Sequence, residues 1–114
     1  MGIPMIRHLM LVMTNALPDQ DAEFNKWYDK IHLRDVLSHP NFVSAERFRT
    51  SGLPGTPIPK HKYAAIFEMK CDDPQVAYAG LVQMFERERM VLGDAMAPDI
   101  SVTFLTSCRQ GVNR

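Results

Sequence analysis

The chain lacks most of the features that announce a function. No stretch of its 114 residues approaches the roughly 20 consecutive apolar positions that a membrane-spanning helix needs. It carries no surplus charge: Lys+Arg and Asp+Glu number 13 each, so the formal net charge is zero. Nucleic acid and anionic membranes both call for a basic excess, so neither is expected as a partner. There are only two cysteines, Cys71 and Cys108, far apart and in no CxxC pair. They read as free thiols, which implies a reducing cytoplasmic setting. HxH, HExxH and Cys/His pairs are missing, so no metal centre is expected. GxSxG, GxGxxG and GxxxxGK[ST] are missing too, which removes the serine elbow, the dinucleotide fingerprint and the phosphate loop. Met1 to Arg7 shows no basic stretch followed by a long apolar run, so no signal peptide is expected.

What is present is ordinary globular material, 46% hydrophobic and 23% charged. The length suits one domain over residues 1–114, with a single core. The eight methionines read as soft core filler.

Residues 5–13 (MIRHLMLVM) predict a strand. Ile6, His8, Met10 and Val12 share one face; Leu9, Leu11 and Met13 share the other. Both faces are mostly apolar, so the strand should be covered on both sides. A helix is expected from an N-cap at Asp19 to about Ser38, with Pro40 stopping it. Phe42 to Thr50 and Lys62 to Lys70 predict two further strands. Between them Ser51 to Lys60, with three prolines and two glycines, reads as a loop. Asp73 and Pro74 open a second helix, which Gly93 closes. Ile100 to Ser107 predicts the last strand, followed by a frayed tail from Gln110.

The order βαββαβ is that of the ferredoxin-like α+β unit: a four-stranded antiparallel sheet with two helices on one face. The apolar residues on the other face then predict a homodimer packed sheet to sheet.

On a helical wheel with Trp27 at zero and about 100° per residue, Ile31, Phe24, Asp35, Tyr28 and His32 fall between about 40° and 140°. Asp29, Lys26, Lys30, Glu23 and Arg34 fall on the opposite side. Asp35 thus sits in the apolar arc beside Tyr28 and His32. A carboxylate there favours the imidazolium and fixes the ring, as acid–base chemistry requires. Alternatively, Asp35 is tied to Arg47 or Arg49 with no chemical role. His8 is a second candidate if its strand face looks toward the helices. His61 reads as solvated, and His39 as complementing the dipole of a helix end.

The segment Phe24-Asn25-Lys26-Trp27-Tyr28-Asp29-Lys30-Ile31-His32-Leu33-Arg34-Asp35-Val36-Leu37, followed by Pro40-Asn41-Phe42-Val43-Ser44-Ala45-Glu46-Arg47-Phe48, resembles a motif of small dimeric α/β-barrel proteins near the EthD-like families. That resemblance implies ferredoxin-like subunits paired through their sheets, with pockets between sheet and helices. It places His32, Asp35, Trp27 and Tyr28 at the pocket. Its wider superfamily includes cyclases, isomerase-like proteins, cofactor-free monooxygenases and haem-degrading enzymes. No haem-ligand pattern is visible here, so no cofactor is expected.

Three readings follow. In the first, the chain is an enzyme acting on a small apolar or aromatic molecule held by Phe24, Trp27, Tyr28, Met10 and Phe67, with His32, Asp35 and His8 as its catalytic residues. In the second, the same pocket binds without turnover. In the third, the space between helices and sheet is filled, and the dimer is purely structural.

Overall fold

The computed structural model describes residues 7–87 and 93–108. Four strands form one antiparallel sheet: β1 (His8–Thr14), β2 (Phe42–Arg49), β3 (Tyr63–Met69) and β4 (Ser101–Thr106), in the order β2-β3-β1-β4. Met5 and Ile6 of the expected first strand and the tail 110–114 lie outside the described residues.

The first helix is composite: α1 (Asp21–Trp27), a π-helical turn (Tyr28–His32) and α2 (Leu33–Leu37). The second helix is α3 (Pro74–Glu86), so it is described only to Glu86 and not to Gly93. Both helices pack on the same face of the sheet. Phe24, Trp27, Tyr28, Ala77 and Leu81 join Met10, Phe67 and Met69 in one core. This is the ferredoxin-like α+β arrangement. No helix among the described residues is long and apolar enough to cross a membrane.

Strand alternation assigns the faces. His8, Met10, Val12 and Thr14 of β1 look toward the helices, where Met10 and Thr14 are fully buried. Leu9, Leu11 and Met13 look the other way and are half-buried. On β2, a register shift between Phe42 and Ser44 inserts one residue. A bulge of this kind moves side chains across the sheet. Phe42 is therefore buried in the core, whereas Phe48, also at an even position, is 44% exposed on the open face.

The two helix starts differ. Asp73 caps α3 as expected, its carboxylate accepting from the Gln75 N–H at 2.9 Å, with Pro74 in the first turn. Asp19 does not cap α1. It adopts a left-handed φ of 62° in the preceding turn, and the N-cap is Gln20. Asp21 instead accepts hydrogen bonds from Lys62 and from the Tyr63 hydroxyl.

His61 is not solvated. It is 6% exposed, with Nε2 3.5 Å from the Asp99 carboxylate. His39 closes α2 against α3. Its Nδ1 accepts from the Asn41 N–H at 3.2 Å, and its Nε2 abuts Gly80, where a Cβ would lie 2.6 Å away. Cys71 is a half-buried free thiol and Cys108 an exposed one.

Candidate functional site: an apolar cavity beside Tyr28 and His32

The π turn governs the site. Its closing bond runs from the Leu33 N–H to the Tyr28 carbonyl, five residues back instead of four. The extra residue retards everything after it by about 100° relative to a regular helix. Ile31 therefore leaves the apolar arc and is 37% exposed, whereas Val36 enters it and is 2% exposed. Asp35 turns to the border of the arc and is half-buried.

His32 swings over Trp27, five residues earlier. The two rings stack with centroids 4.6 Å apart and planes at 23°. In a regular helix, residues five apart sit about 140° apart and do not stack. Gly93 also comes up against Trp27: a Cβ there would fall 2.5 Å from the indole. Tyr28 meets His32 edge to face at 4.8 Å.

Between these rings, β1, β4 and α3 lies a cavity of about 330 Å³. Its walls are Met10, Val12 and Thr14 from β1, Phe67 from β3, and Ile100 and Val102 at β4. Tyr28, His32 and Val36 come from the first helix; Tyr78, Leu81, Val82, Phe85 and Glu86 come from α3, and Met96 from the segment before β4. The space between helices and sheet is thus not filled by the described residues.

Two buried polar atoms of residues that line it, Tyr28 Oη and His32 Nδ1, have no hydrogen-bond partner among the described residues. A buried polar group without a partner is costly, about 1–3 kcal/mol for each. Burial holds the Tyr28 hydroxyl protonated, pushing it up to about 12 against the opposing charge of Arg47. Burial also pushes His32 down to about 4; Asp35 pulls it back up, and Arg47 pushes it further down. The sequence favoured an imidazolium beside Asp35. Desolvation outweighs the carboxylate, so the ring is neutral at pH 7.

The predicted residues divide as follows. Met10, Tyr28, Phe67 and His32 line the cavity. Phe24, fully buried, and Trp27 stand behind it in the core and support Tyr28 and His32. Asp35 acts on His32 electrostatically and does not line the cavity. His8 lies on the helix-facing side of β1 but at its outer end, with Nδ1 3.1 Å from Thr106 Oγ1 and away from the cavity.

Two features were not assigned to the site from the sequence. One is the α3 stripe Tyr78, Leu81, Val82 and Phe85, whose spacing is helical but overlaps the core stripe that includes Ala77 and Met84. The other is Arg47. It ion-pairs with Asp29 at 2.9 Å and lies 4.4 Å from the centre of the Tyr28 ring. Among the described residues, no group of three or more His, Cys, Asp or Glu side chains is placed to hold a metal.

No family model matches the chain, and no curated protein matches it. Two solved structures illustrate what the fold is similar to. An ethyl tert-butyl ether D (EthD) family protein from Bacillus halodurans shares 12% identity over 88% of this chain and 96% of that one, with a TM-score of 0.49. HapK from Hahella chejuensis shares 20% identity over 96% of this chain and 97% of that one, with a TM-score of 0.46.

Proposed function

We propose that the protein binds a small apolar or aromatic molecule in this cavity, with Tyr28 and His32 holding its one polar group. The observation that carries the reading is the pair of unpartnered buried atoms, Tyr28 Oη and His32 Nδ1, in two residues that line a mainly apolar cavity. A ligand oxygen at that point accepts from the Tyr28 hydroxyl. Neutral His32 then accepts or donates, according to its tautomer. Trp27, stacked on His32, and Phe24 beneath Tyr28 keep both groups in place.

Calorimetric titration with 2-naphthol and naphthalene tests this. 2-Naphthol is expected to bind about tenfold more tightly, one good hydrogen bond's worth. At 100 times its dissociation constant it should stabilise the fold by about 2.7 kcal/mol. Tyr28→Phe is expected to erase the difference between the two ligands. Equal binding of both by the wild type, or binding of neither, overturns the reading.

A second reading is favoured by one feature: an uncharged acid and an uncharged base, Tyr28 and His32, meet at 4.8 Å across a helix defect. Cofactor-free isomerisation, cyclisation or oxygenation of the bound molecule would use that pair. His32 is a weak base in the empty cavity, and an anionic oxygen beside it strengthens it. With a substrate identified, His32→Ala should lower turnover by about 10²–10⁴-fold. Unchanged turnover would leave binding without catalysis.

The open sheet face supports the further proposal of a homodimer. Leu9, Leu11, Met13 and Ile66 are only half-buried, and Phe48 and Leu105 are exposed. A second copy laid sheet to sheet would cover them. Sedimentation of a micromolar solution as a monomer would remove it. The free thiols of Cys71 and Cys108 support a reducing cytoplasmic setting.

A further inference from the structure

Arg47 takes no part in lining the cavity, yet it is the cation that lies behind it. β2 carries it on the helix-facing side, opposite the small Ala65 of β3. Its guanidinium lies over Tyr28 at 4.4 Å, with the Tyr63 and Phe24 rings at 5.3 Å and 5.5 Å. The side chain is only 13% exposed. One of its two hydrogen-bond partners, Asn25, is neutral. The other, Asp29, is 57% exposed, so solvent screens its charge. The guanidinium Nε is buried with no partner among the described residues.

The positive charge is therefore buried and its negative partner is not. We infer that Arg47 sets a positive potential at the Tyr28 end of the cavity, so that the site prefers a ligand whose oxygen ionises there, a phenol or an enol, over a neutral isostere. This rests on the reading of the cavity as a ligand site and names the ligand class. Arg47 acts through Tyr28 and is a positioning residue.

The other charged groups do not cancel this field. Asp21 is engaged by Lys62 and Tyr63, away from the cavity. Glu86 lines the α3 side of the cavity and is exposed to solvent. Asp35 is the carboxylate that opposes Arg47 at His32; at Tyr28 Arg47 works against the larger effect of desolvation, which hydrogen bonds donated to a ligand oxygen would offset. When the ligand oxygen carries the negative charge, the Tyr28 hydroxyl and a His32 Nδ1–H both donate to it.

The test uses 4-nitrophenol, which ionises near neutral pH and changes colour when it does, with nitrobenzene as the neutral isostere. Bound 4-nitrophenol is expected to ionise about one pH unit below the free compound, an approximately tenfold preference for the phenolate. Arg47→Gln should lose that preference while nitrobenzene binding persists. Asp29→Asn, a surface change that removes the screened counter-ion, should enlarge it. Ionisation of the bound phenol at or above the free value overturns the inference, as does a preference that Arg47→Gln retains or Asp29→Asn reduces. Nitrobenzene binding without a phenolate preference removes the inference alone. Failure of both compounds to bind removes the ligand reading, and the inference with it.

Discussion

The two helical walls of the cavity are built differently. The first helix is fastened on every side. Phe24 and Tyr28 are fully buried, Trp27 is packed against His32 and Gly93, and Arg47 ties β2 to Asp29 and Asn25. α3 buries only Ala77 and Leu81 fully, and its cavity-facing Val82 and Phe85 remain 36% and 37% exposed. The two side chains with unpartnered buried atoms, Tyr28 and His32, stand on the fastened wall; the α3 wall contributes mainly apolar surface, with Tyr78 and Glu86. A polar group needs a fixed direction to select a ligand, whereas an apolar wall only needs to close over one.

The largest expected effect breaks the fastened wall. Phe24→Ala should cost about 3–5 kcal/mol by urea unfolding, since it removes a fully buried ring that three other rings contact. The corresponding change on the other wall, Val82→Ala, should cost well under about 1 kcal/mol. Similar costs for the two would end the contrast.

Acid should weaken the first wall next. The folded-state pKa of His32, about 4, lies below its unfolded value of 6.5. The unfolded chain therefore binds the proton more readily. Stability should fall as pH drops from about 6.5 to about 4, by up to about 3 kcal/mol, and this contribution should level off below that. His32→Gln should flatten that part of the pH–stability curve; an unflattened curve would assign the acid sensitivity elsewhere.

Gly93→Ala should cost about 1–3 kcal/mol and shift the emission of Trp27, the chain's single tryptophan, because the new methyl group meets the indole. On the α3 side, Val82→Phe should change stability by about 0.5 kcal/mol or less yet block 2-naphthol. Unimpaired binding in that variant would mean that α3 does not close the cavity.

These contrasts also explain what was legible in the sequence. Strand periodicity, the Asp73–Pro74 start and the order of elements sufficed for the ferredoxin-like fold, because each is local. Met10, Tyr28, Phe67 and His32, which line the cavity, could be named from strand alternation and helical spacing. The π turn was not legible, since Phe24 to Leu37 contains no proline or glycine to mark a break. One inserted residue then exchanged Ile31 for Val36 and moved Asp35 aside. The β2 bulge hid Phe48 in the same way, by altering parity. The charge state of His32 depends on burial among residues distant in sequence, which no helical wheel reports. Arg47 was visible only as a candidate partner for Asp35, because its place over Tyr28 is set by the pairing of β2 with β3.

The most direct test is an NMR titration of the His32 ring, alone and with 2-naphthol bound. A ring buried on Trp27 should stay neutral down to a midpoint near pH 4. Its Nδ1 resonance should move when 2-naphthol enters the cavity. A midpoint at or above 6.5 with no response to 2-naphthol would place His32 in solvent and contradict both the buried stack and the site built on it.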